Sequence, residues 1–364
     1  MVPGTHLLRH LRGTGELEAL VWFGAGRLAE RRALEGIEEH LDPEVPFQKI
    51  DLPLESPAGG APRWRDLAVR FAPAATRARR VLVESKIQVV CGLGGFTCLP
   101  VVLAACSLRL PIALLEINAV QGKATRWLSP ICQRVLHAWP STLPGANSGE
   151  AESKKHRLIG PPLAPEFVEA PHSSRGRRVE REELGFAADR PLLVVLGGSQ
   201  GAKALNGLLR ERGPEFVDCG LSVLHQVGPG RLEEAGRATA HYRPVEYVDD
   251  VAAALRAASL VICRGGASTL AEVAAAGTPA VVVPYPHHRD GHQRANADAL
   301  GEGVVVIEEH QGTDAVFTRA LSLVKQVAEL ERRSRALRSA VPTGGAARLF
   351  EELSLLSTSR VSHD

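Results

Sequence analysis

With 364 residues, 45% apolar and 23% charged, the chain has the composition of a globular protein long enough for two domains. Its 43 basic and 41 acidic side chains nearly cancel, so no global field draws it to nucleic acid. No apolar run reaches the ~18 residues of a membrane span, and charges interrupt the apolar stretch of MVPGTHLLRHLRGTG, which does not read as a signal peptide.

In the first half, strands are expected at 19–23, 81–83, 89–91 and 112–115, with helical patterns between several of them. Residues 140–153 read as a polar loop and 160–165 (GPPLAP) as a stiff hinge. The second half opens with LLVVLGGSQGAKALNGLL, a strand, a glycine turn and a helix. Further strands are expected at 222–225, 244–248, 260–263, 280–283 and 304–307. The Arg175 to Arg181 run reads as a solvated loop. A last helix is expected at 346–356, followed by a Ser-rich disordered tail. The six cysteines form no CxxC pair and mostly fall in apolar runs, as buried reduced thiols of a cytoplasmic protein do. Alternating strands and helices imply an α/β chain of two doubly wound, Rossmann-like halves with ligands at the strand C-termini, facing a cleft. The expected division is 1–160, 161–342 and a terminal segment 343–364.

Three glycine turns follow strands. Gly92, Gly94, Gly95 and Thr97 lie in GLGGFTCLP, which could equally be an ordinary helix start with Pro as breaker. In GGSQGA (197–202), the glycines let the backbone approach a phosphate, and Ser199 adds a hydroxyl. Its spacing is not GxGxxG, and the next strand ends in His225-Gln226-Val227-Gly228 without an acidic residue, so nicotinamide binding is disfavoured. The third turn lies in VICRGGASTLAEVAAAGTPAVVVPYPHHRDGHQRANA (261–297). Here Ser268 and Thr269 occupy the expected N-cap, and Gly277-Thr278-Pro279 stops the helix. A helix N-terminus there gathers free N–H groups and partial positive charge, which suits phosphate. Glu272, expected in the first turn, could accept from sugar hydroxyls. An ordinary βαβ unit is the other reading of this stretch. Together the three turns suit a donor with a diphosphate and an acceptor that also carries phosphate.

The segments GLGGFTCLPVVLAA, LLEINAVQGKATRWLS, VVLGGSQGAKALN, HQVG, YVDDV, CRGGASTLAEVAAAGTPAVVVPYP and HQRANA occur in one order. Together they resemble the bacterial peptidoglycan N-acetylglucosaminyltransferases of glycosyltransferase family 28, which convert lipid I to lipid II. The resemblance implies a type-B glycosyltransferase fold, inversion at the anomeric centre, and no bound metal or other cofactor. It places UDP-N-acetylglucosamine on the second half, with Ser199 on the nucleotide and Val248 on the uracil. Ala267, Ser268, Thr269, Leu270, Ala271 and Glu272 would wrap the diphosphate and ribose, with Glu272 on the ribose hydroxyls. Gln293 would read the sugar hydroxyls, and Asn118 would reach across from the first half. Gly92, Gly94, Gly95 and Thr97 would form the phosphate or acceptor loop. The implied location is the cytoplasmic face of the cell membrane, with lipid I and other cell-wall synthesis proteins as partners.

The chain departs from the family in three places. The family's HEQNA reads Leu115-Glu116-Ile117-Asn118-Ala119, and its GNPVR reads Gly160-Pro161-Pro162-Leu163-Ala164, with Ala164 in place of a nucleotide-contacting arginine. The family's opening strand and GGTGGH turn would precede Met1, the only methionine, so the frame is expected to begin upstream and the catalytic base is unassigned. His6 falls in the expected first helix and reads as a surface residue. Arg63 to Phe71, followed by Arg77, Arg79 and Arg80, is a basic stretch with interleaved apolar groups. It reads either as the solvated edge of an amphipathic helix or, through Trp64, Arg65, Arg70 and Phe71, as a dock for anionic lipid. Two other functions fit the same residues: an inactive UDP-sugar-binding partner in cell-wall assembly, and a related transferase with another acceptor.

Overall fold

The structure is a computed structural model, described for all residues except 1, 12–16, 27–29, 32–33, 35–40, 42, 53, 55–63, 96, 146–148, 169–173, 199–200, 287–290 and 362–364. Two compact units divide the chain: Met1–Ala164 with Gly344–Asp364, and Pro165–Thr343. The division falls at Ala164 and Thr343, and the terminal segment belongs to the first unit instead of standing apart.

In the first unit, β1 (Leu20–Gly24) and β2 (Phe47–Asp51) pair in parallel as a two-stranded sheet. A separate four-stranded parallel sheet has the order β3 (Val90–Gly92), β4 (Ile112–Glu116), β5 (Arg134–His137), β6 (His156–Leu158). Every residue of β4 is buried, because an inner parallel strand is covered on both faces. The strand expected at 81–83 is instead the end of a helix, Trp64–Glu84. Ala74, Ala78, Val81 and Leu82 are buried at helical spacing, and a three-residue apolar run cannot distinguish the two periods. The expected loop at 140–153 ends in the helix Glu150–Lys155.

The last helix is Gly345–Val361, longer than expected and covering much of the supposed tail. Leu349 and Leu356 are buried in one cluster with Leu7, Leu115, Leu136 and Ile159, with Leu353 packed against it. Glu352 adds an ion pair to Arg134 at 3.0 Å. That apolar stripe ties the helix down, which the serine content alone does not reveal.

The second unit holds a six-stranded parallel sheet in the order β12-β11-β10-β7-β8-β9. Its strands are β7 (Leu192–Leu196), β8 (Ser222–Gln226), β9 (Tyr242–Val245), β10 (Leu260–Cys263), β11 (Ala280–Val282) and β12 (Val304–Val306). β9 begins earlier than expected and accommodates Pro244 because it is an edge strand. Leu193, Val195, Leu209, Phe216, Ile262 and Val281 form part of one buried cluster that joins the sheet to the helix Lys203–Asp218. β7 pairs with β8 on one side and β10 on the other, so the strand order reverses there. The turns leaving β7 and β10 therefore flank a topological switch point, where open α/β sheets bind ligands.

The Arg175–Arg181 run is not a solvated loop. It lies in the helix Ser174–Glu183, and Arg181 is buried. Its guanidinium donates to the carbonyls of Ala257 (2.9 Å), Ala188 (3.2 Å) and Arg190 (3.1 Å) and to Ser259 Oγ (2.8 Å). Burial, then the neighbouring Arg177 and Arg178, lowers its pKa to about 10. Periodicity could not distinguish this buried staple from its solvated neighbours.

Candidate functional site

The turn leaving β7 is shaped by close backbone approach. A Cβ on Gly201 would stand 2.1 Å from the Val227 carbonyl oxygen, and one on Gly197 would stand 2.7 Å from the Ala202 nitrogen. Gly198 and Gly201 also have φ of +78° and +71°, a region L side chains rarely adopt. Ser199 lies outside the described residues. Gln226, at the end of β8, joins this turn to the next element: its amide donates to Gly198 O (2.9 Å), and its Oε1 accepts from Val248 N (3.2 Å). Val248 is buried.

Beside Gln226, the fully buried His225 is fixed by two neighbours. Asn206 Oδ1 can only accept, so His225 Nε2 donates to it (3.1 Å), and Nδ1 accepts from the Tyr242 hydroxyl (2.9 Å). The Asn206 amide in turn donates to Val227 O (3.1 Å) and Glu234 Oε2 (2.8 Å). Burial pushes the His225 pKa down to about 4, so the ring is neutral at pH 7.

The helix after β10 is Ala267–Ala276, and its N-cap is Gly266, with no side-chain cap. Ser268 and Thr269 therefore sit inside the first turn and not at the cap. Leu270 N bonds to Gly266 O at 2.9 Å, whereas the N–H groups of Ala267, Ser268 and Thr269 have no bond within the helix. Three orphan donors plus the helix dipole make an anion-binding surface. Leu270 is wholly buried, and Ala271 nearly so, so both belong to the packing side of the helix. Glu272 is buried in the second turn, not the first. It lies four residues after Ser268 on the same helix face, and helical side chains lean toward the N-terminus. Its charge adds to burial in pushing the Cys263 thiol up to about 12. Gly277 (φ +62°) closes the helix: Gly277 N bonds to Ala274 O at 3.0 Å and Thr278 N to Val273 O at 3.1 Å.

Gln293, in the helix His292–Asp298, holds this turn from the other side. Its Oε1 accepts from Gly265 N (3.2 Å) and Tyr285 N (2.9 Å), and Asn296 donates to Gly265 O (3.0 Å). The Gln293 side-chain oxygen is thus spent on backbone N–H groups, which leaves its NH2 as the free donor. Arg264, not singled out in the sequence, donates to Val283 O (3.0 Å) and pairs with Glu309 (2.6 Å).

In the first unit, the turn after β3 leads to the helix Cys98–Ser107. Gly94 (φ +84°) and Gly95 (φ +77°) have open space where side chains would be, and Thr97 makes no capping bond. A Cβ on Gly92 would stand 2.8 Å from Leu114 Cδ2, so a larger residue there would push that side chain aside. The loop after β4 is organised by the buried Glu116. Its Oε1 accepts from Asn118 N (3.1 Å) and Asn118 Nδ2 (3.2 Å), and its Oε2 accepts from Gly122 N (2.7 Å) and Thr125 Oγ1 (2.6 Å). Trp139 Nε1 and Ser141 Oγ pin the same loop through the carbonyls of Ile117 (2.9 Å) and Ala119 (2.7 Å).

A buried histidine pair stands under this loop, without a sequence signal. Thr142 Oγ1 donates to Trp139 O (2.9 Å), so it accepts from His137 Nδ1 (2.8 Å), and His137 Nε2 then accepts from His156 Nδ1 (2.8 Å). Burial, then the nearby His156, lowers the His137 pKa to about 4. His6 is buried in the helix Val2–His10, contrary to the surface placement expected. Ala164 is wholly buried. Cys132 and Cys263 are buried as expected, Cys91 and Cys98 are half-buried, and Cys106 and Cys219 are exposed, contrary to the reading of buried thiols. Among the described residues, no cluster of three or more His, Cys, Asp or Glu could hold a metal. Arg70, Arg79 and Arg80 are exposed and Phe71 is half-buried; at Trp64 and Arg65 only the backbone is described. Among the described residues, no helix is long and apolar enough to cross a membrane.

The glycosyltransferase family 28 N-terminal domain matches residues 19–137, and the C-terminal domain of that family matches 192–342. The chain belongs to glycosyltransferase family 28. The two glycine turns of the second unit thus lie within the family's C-terminal domain. Among its relatives is a UDP-N-acetylglucosamine–N-acetylmuramyl-(pentapeptide) pyrophosphoryl-undecaprenol N-acetylglucosamine transferase from Clavibacter sepedonicus. It is 36% identical over 327 residues, covering 87% of this chain and 84% of the relative. A Pectobacterium carotovorum protein of the same name is 30% identical over 370 residues, covering 99% and 93%. The crystal structure of Acinetobacter baumannii MurG superposes with a TM-score of 0.68 at 26% identity, covering 97% of this chain and 95% of that one.

Proposed function

We propose that this family 28 transferase moves N-acetylglucosamine from UDP-N-acetylglucosamine to the C4 hydroxyl of the muramoyl sugar of lipid I, with inversion. The observation that carries the proposal is the uncapped N-terminus of the helix Ala267–Ala276 at the switch point of the second unit's sheet. The N–H groups of Ala267, Ser268 and Thr269 take the diphosphate and stabilise it as the leaving group. Glu272, on the Ser268 face one turn later, accepts from the ribose hydroxyls. Gln293 donates its amide to the sugar, Val248 backs the uracil, and Ser199 contacts the nucleotide. In the first unit, Asn118 and the Gly92–Thr97 turn contact substrate. A general base deprotonates the attacking hydroxyl.

The protein works on the cytoplasmic face of the membrane, where its lipid-linked acceptor lies. Arg70, with Trp64, Arg65 and Phe71, docks it on anionic lipid, and other cell-wall synthesis proteins share that surface. Transfer of radiolabelled sugar from UDP-N-acetylglucosamine to purified lipid I tests the reading. Transfer that depends on Glu272 is expected. Intact UDP-sugar binding with no transfer overturns it and leaves an inactive binding module, whereas transfer only to another lipid overturns the choice of acceptor.

A further inference from the structure

On the nucleotide-binding reading above, we infer that Gln226 is a positioning residue. It locks the turn after β7 to the loop carrying Val248, so that the phosphates and the base of one nucleotide meet a single preset surface. Among the described residues, the backbone ladder stops short of both segments. β7 ends at Leu196 and β9 at Val245, and backbone bonding past β8 continues through Val227 N to Val245 O (2.9 Å) and Gly228 N to Glu246 O (3.1 Å). Beyond those bonds a side chain takes over. Gln226 is the buried last residue of β8. Its Nε2 donates to Gly198 O (2.9 Å), and its Oε1 accepts from Val248 N (3.2 Å).

Both partners are backbone atoms, and each bond fixes the plane of a peptide unit. Gly198 O also accepts from Gly201 N (3.0 Å), the bond that closes the turn, so Gln226 holds the carbonyl on which the turn folds. Packing does not hold Gly198 from its open side. Its φ is +78°, and beyond its chain neighbours no described atom lies within 4 Å of a Cβ there. The consequence is thermodynamic coupling. A base bound at Val248 holds the turn that meets the phosphates, and the reverse holds equally. Without the carboxamide each loop settles by itself, so a ligand that spans both loses more affinity than one that occupies either. Gln226 acts through the loops and makes no contact with the nucleotide.

Dissociation constants for uridine, which lacks phosphate, and for UDP test this in native protein, Gln226→Met and Gln226→Glu. Gln226→Met removes both bonds at similar volume, and each lost bond is worth about 3- to 10-fold in affinity. Uridine, which draws on the Val248 bond alone, should bind about 5-fold weaker and UDP about 30-fold weaker. Gln226→Glu is the rescue, because a buried carboxyl is neutral at about pH 5 and then donates and accepts as the amide does. At that pH it should restore the native UDP-to-uridine ratio within about 2-fold, while the neighbouring His225, lowered to about 4 by burial, stays neutral. Loss of both ligands by one factor in Gln226→Met overturns the proposal and leaves Gln226 a merely structural residue. So does a Gln226→Glu ratio depressed further than that at the same pH, which decides the matter even where Gln226→Met does not fold. Native protein that binds neither ligand overturns the nucleotide reading itself, and this proposal with it.

Discussion

Gly265→Ala and Gly266→Ala, neighbouring substitutions of the same size, are expected to have opposite outcomes. A Cβ at position 265 would stand 2.1 Å from the Gln293 carbonyl oxygen and 2.7 Å from its carbonyl carbon. Both are backbone atoms, so no side-chain rotation relieves the clash. To restore ordinary contact, the turn and the helix His292–Asp298 must part by about 1 Å, and overpacking of this kind costs about 1–3 kcal/mol. The same movement stretches the 3.2 Å bond from Gly265 N to Gln293 and the 3.0 Å bond from Asn296 to Gly265 O. It also displaces the N-terminus that would hold the diphosphate, and a 1 Å misplacement costs on the order of 10²-fold in rate. At position 266 the nearest atom to a Cβ is Thr269 Oγ1 at 3.9 Å. The φ there is −68°, so alanine fits with a loss of no more than about 1 kcal/mol of capping preference. Calorimetric titration with UDP-N-acetylglucosamine and the initial rate of transfer, on variants shown to be folded by circular dichroism, measure both effects. Equal affinity and equal rate for the two variants would refute the claim that backbone contact with Gln293 positions this turn.

Glu116→Gln leaves one acceptor oxygen where two oxygens take four bonds. Losing two charge-assisted bonds costs about 3 kcal/mol and lowers the first unit's unfolding midpoint by roughly 6–12 °C; an unchanged midpoint in calorimetry counts against the carboxylate as organiser of the loop. His137 and His225 should make stability depend on pH. Each is pushed down from 6.5 to about 4, so the unfolded chain binds a proton before the folded one does. Stability is therefore full above pH 6.5 and falls as pH drops toward 4, by up to about 3 kcal/mol per histidine. In His225→Gln the second unit should lose part of that slope, and urea unfolding at pH 7 and 4.5 that shows the original slope would contradict this. Arg181→Met removes the donor of four bonds to Ala257, Ala188, Arg190 and Ser259. A loss of about 3 kcal/mol is expected, read as a lower urea midpoint at constant m; a loss under about 0.5 kcal/mol would place Arg181 with ordinary surface residues.

What could be read in advance follows a physical division. β7, β10 and β11 stand out because inner parallel strands are apolar on both faces, whereas β5 and β6 carry Arg134, His156 and Arg157 and offer neither alternation nor an apolar run. Residues 81–83 misled for the converse reason, since valines ending a helical stripe look like a strand when only three are counted. The glycines were visible, but their partners were not. Gly201 is required by Val227 and Gly265 by Gln293, contacts that exist only once the sheet has formed. The same holds for Gln226, which joins the Gly198 turn to Val248 through one amide. A sequence records which residues are small or polar enough for a ligand turn, but the turn's position is set by backbone contacts far along the chain. The turns of the second unit are therefore better described as a set of loops clamped by Gln226, Asn206, Gln293 and Asn296 than as two glycine motifs. A substitution at Gln226, Asn206 or Asn296 should therefore weaken binding of the proposed nucleotide-sugar without removing a contact to it.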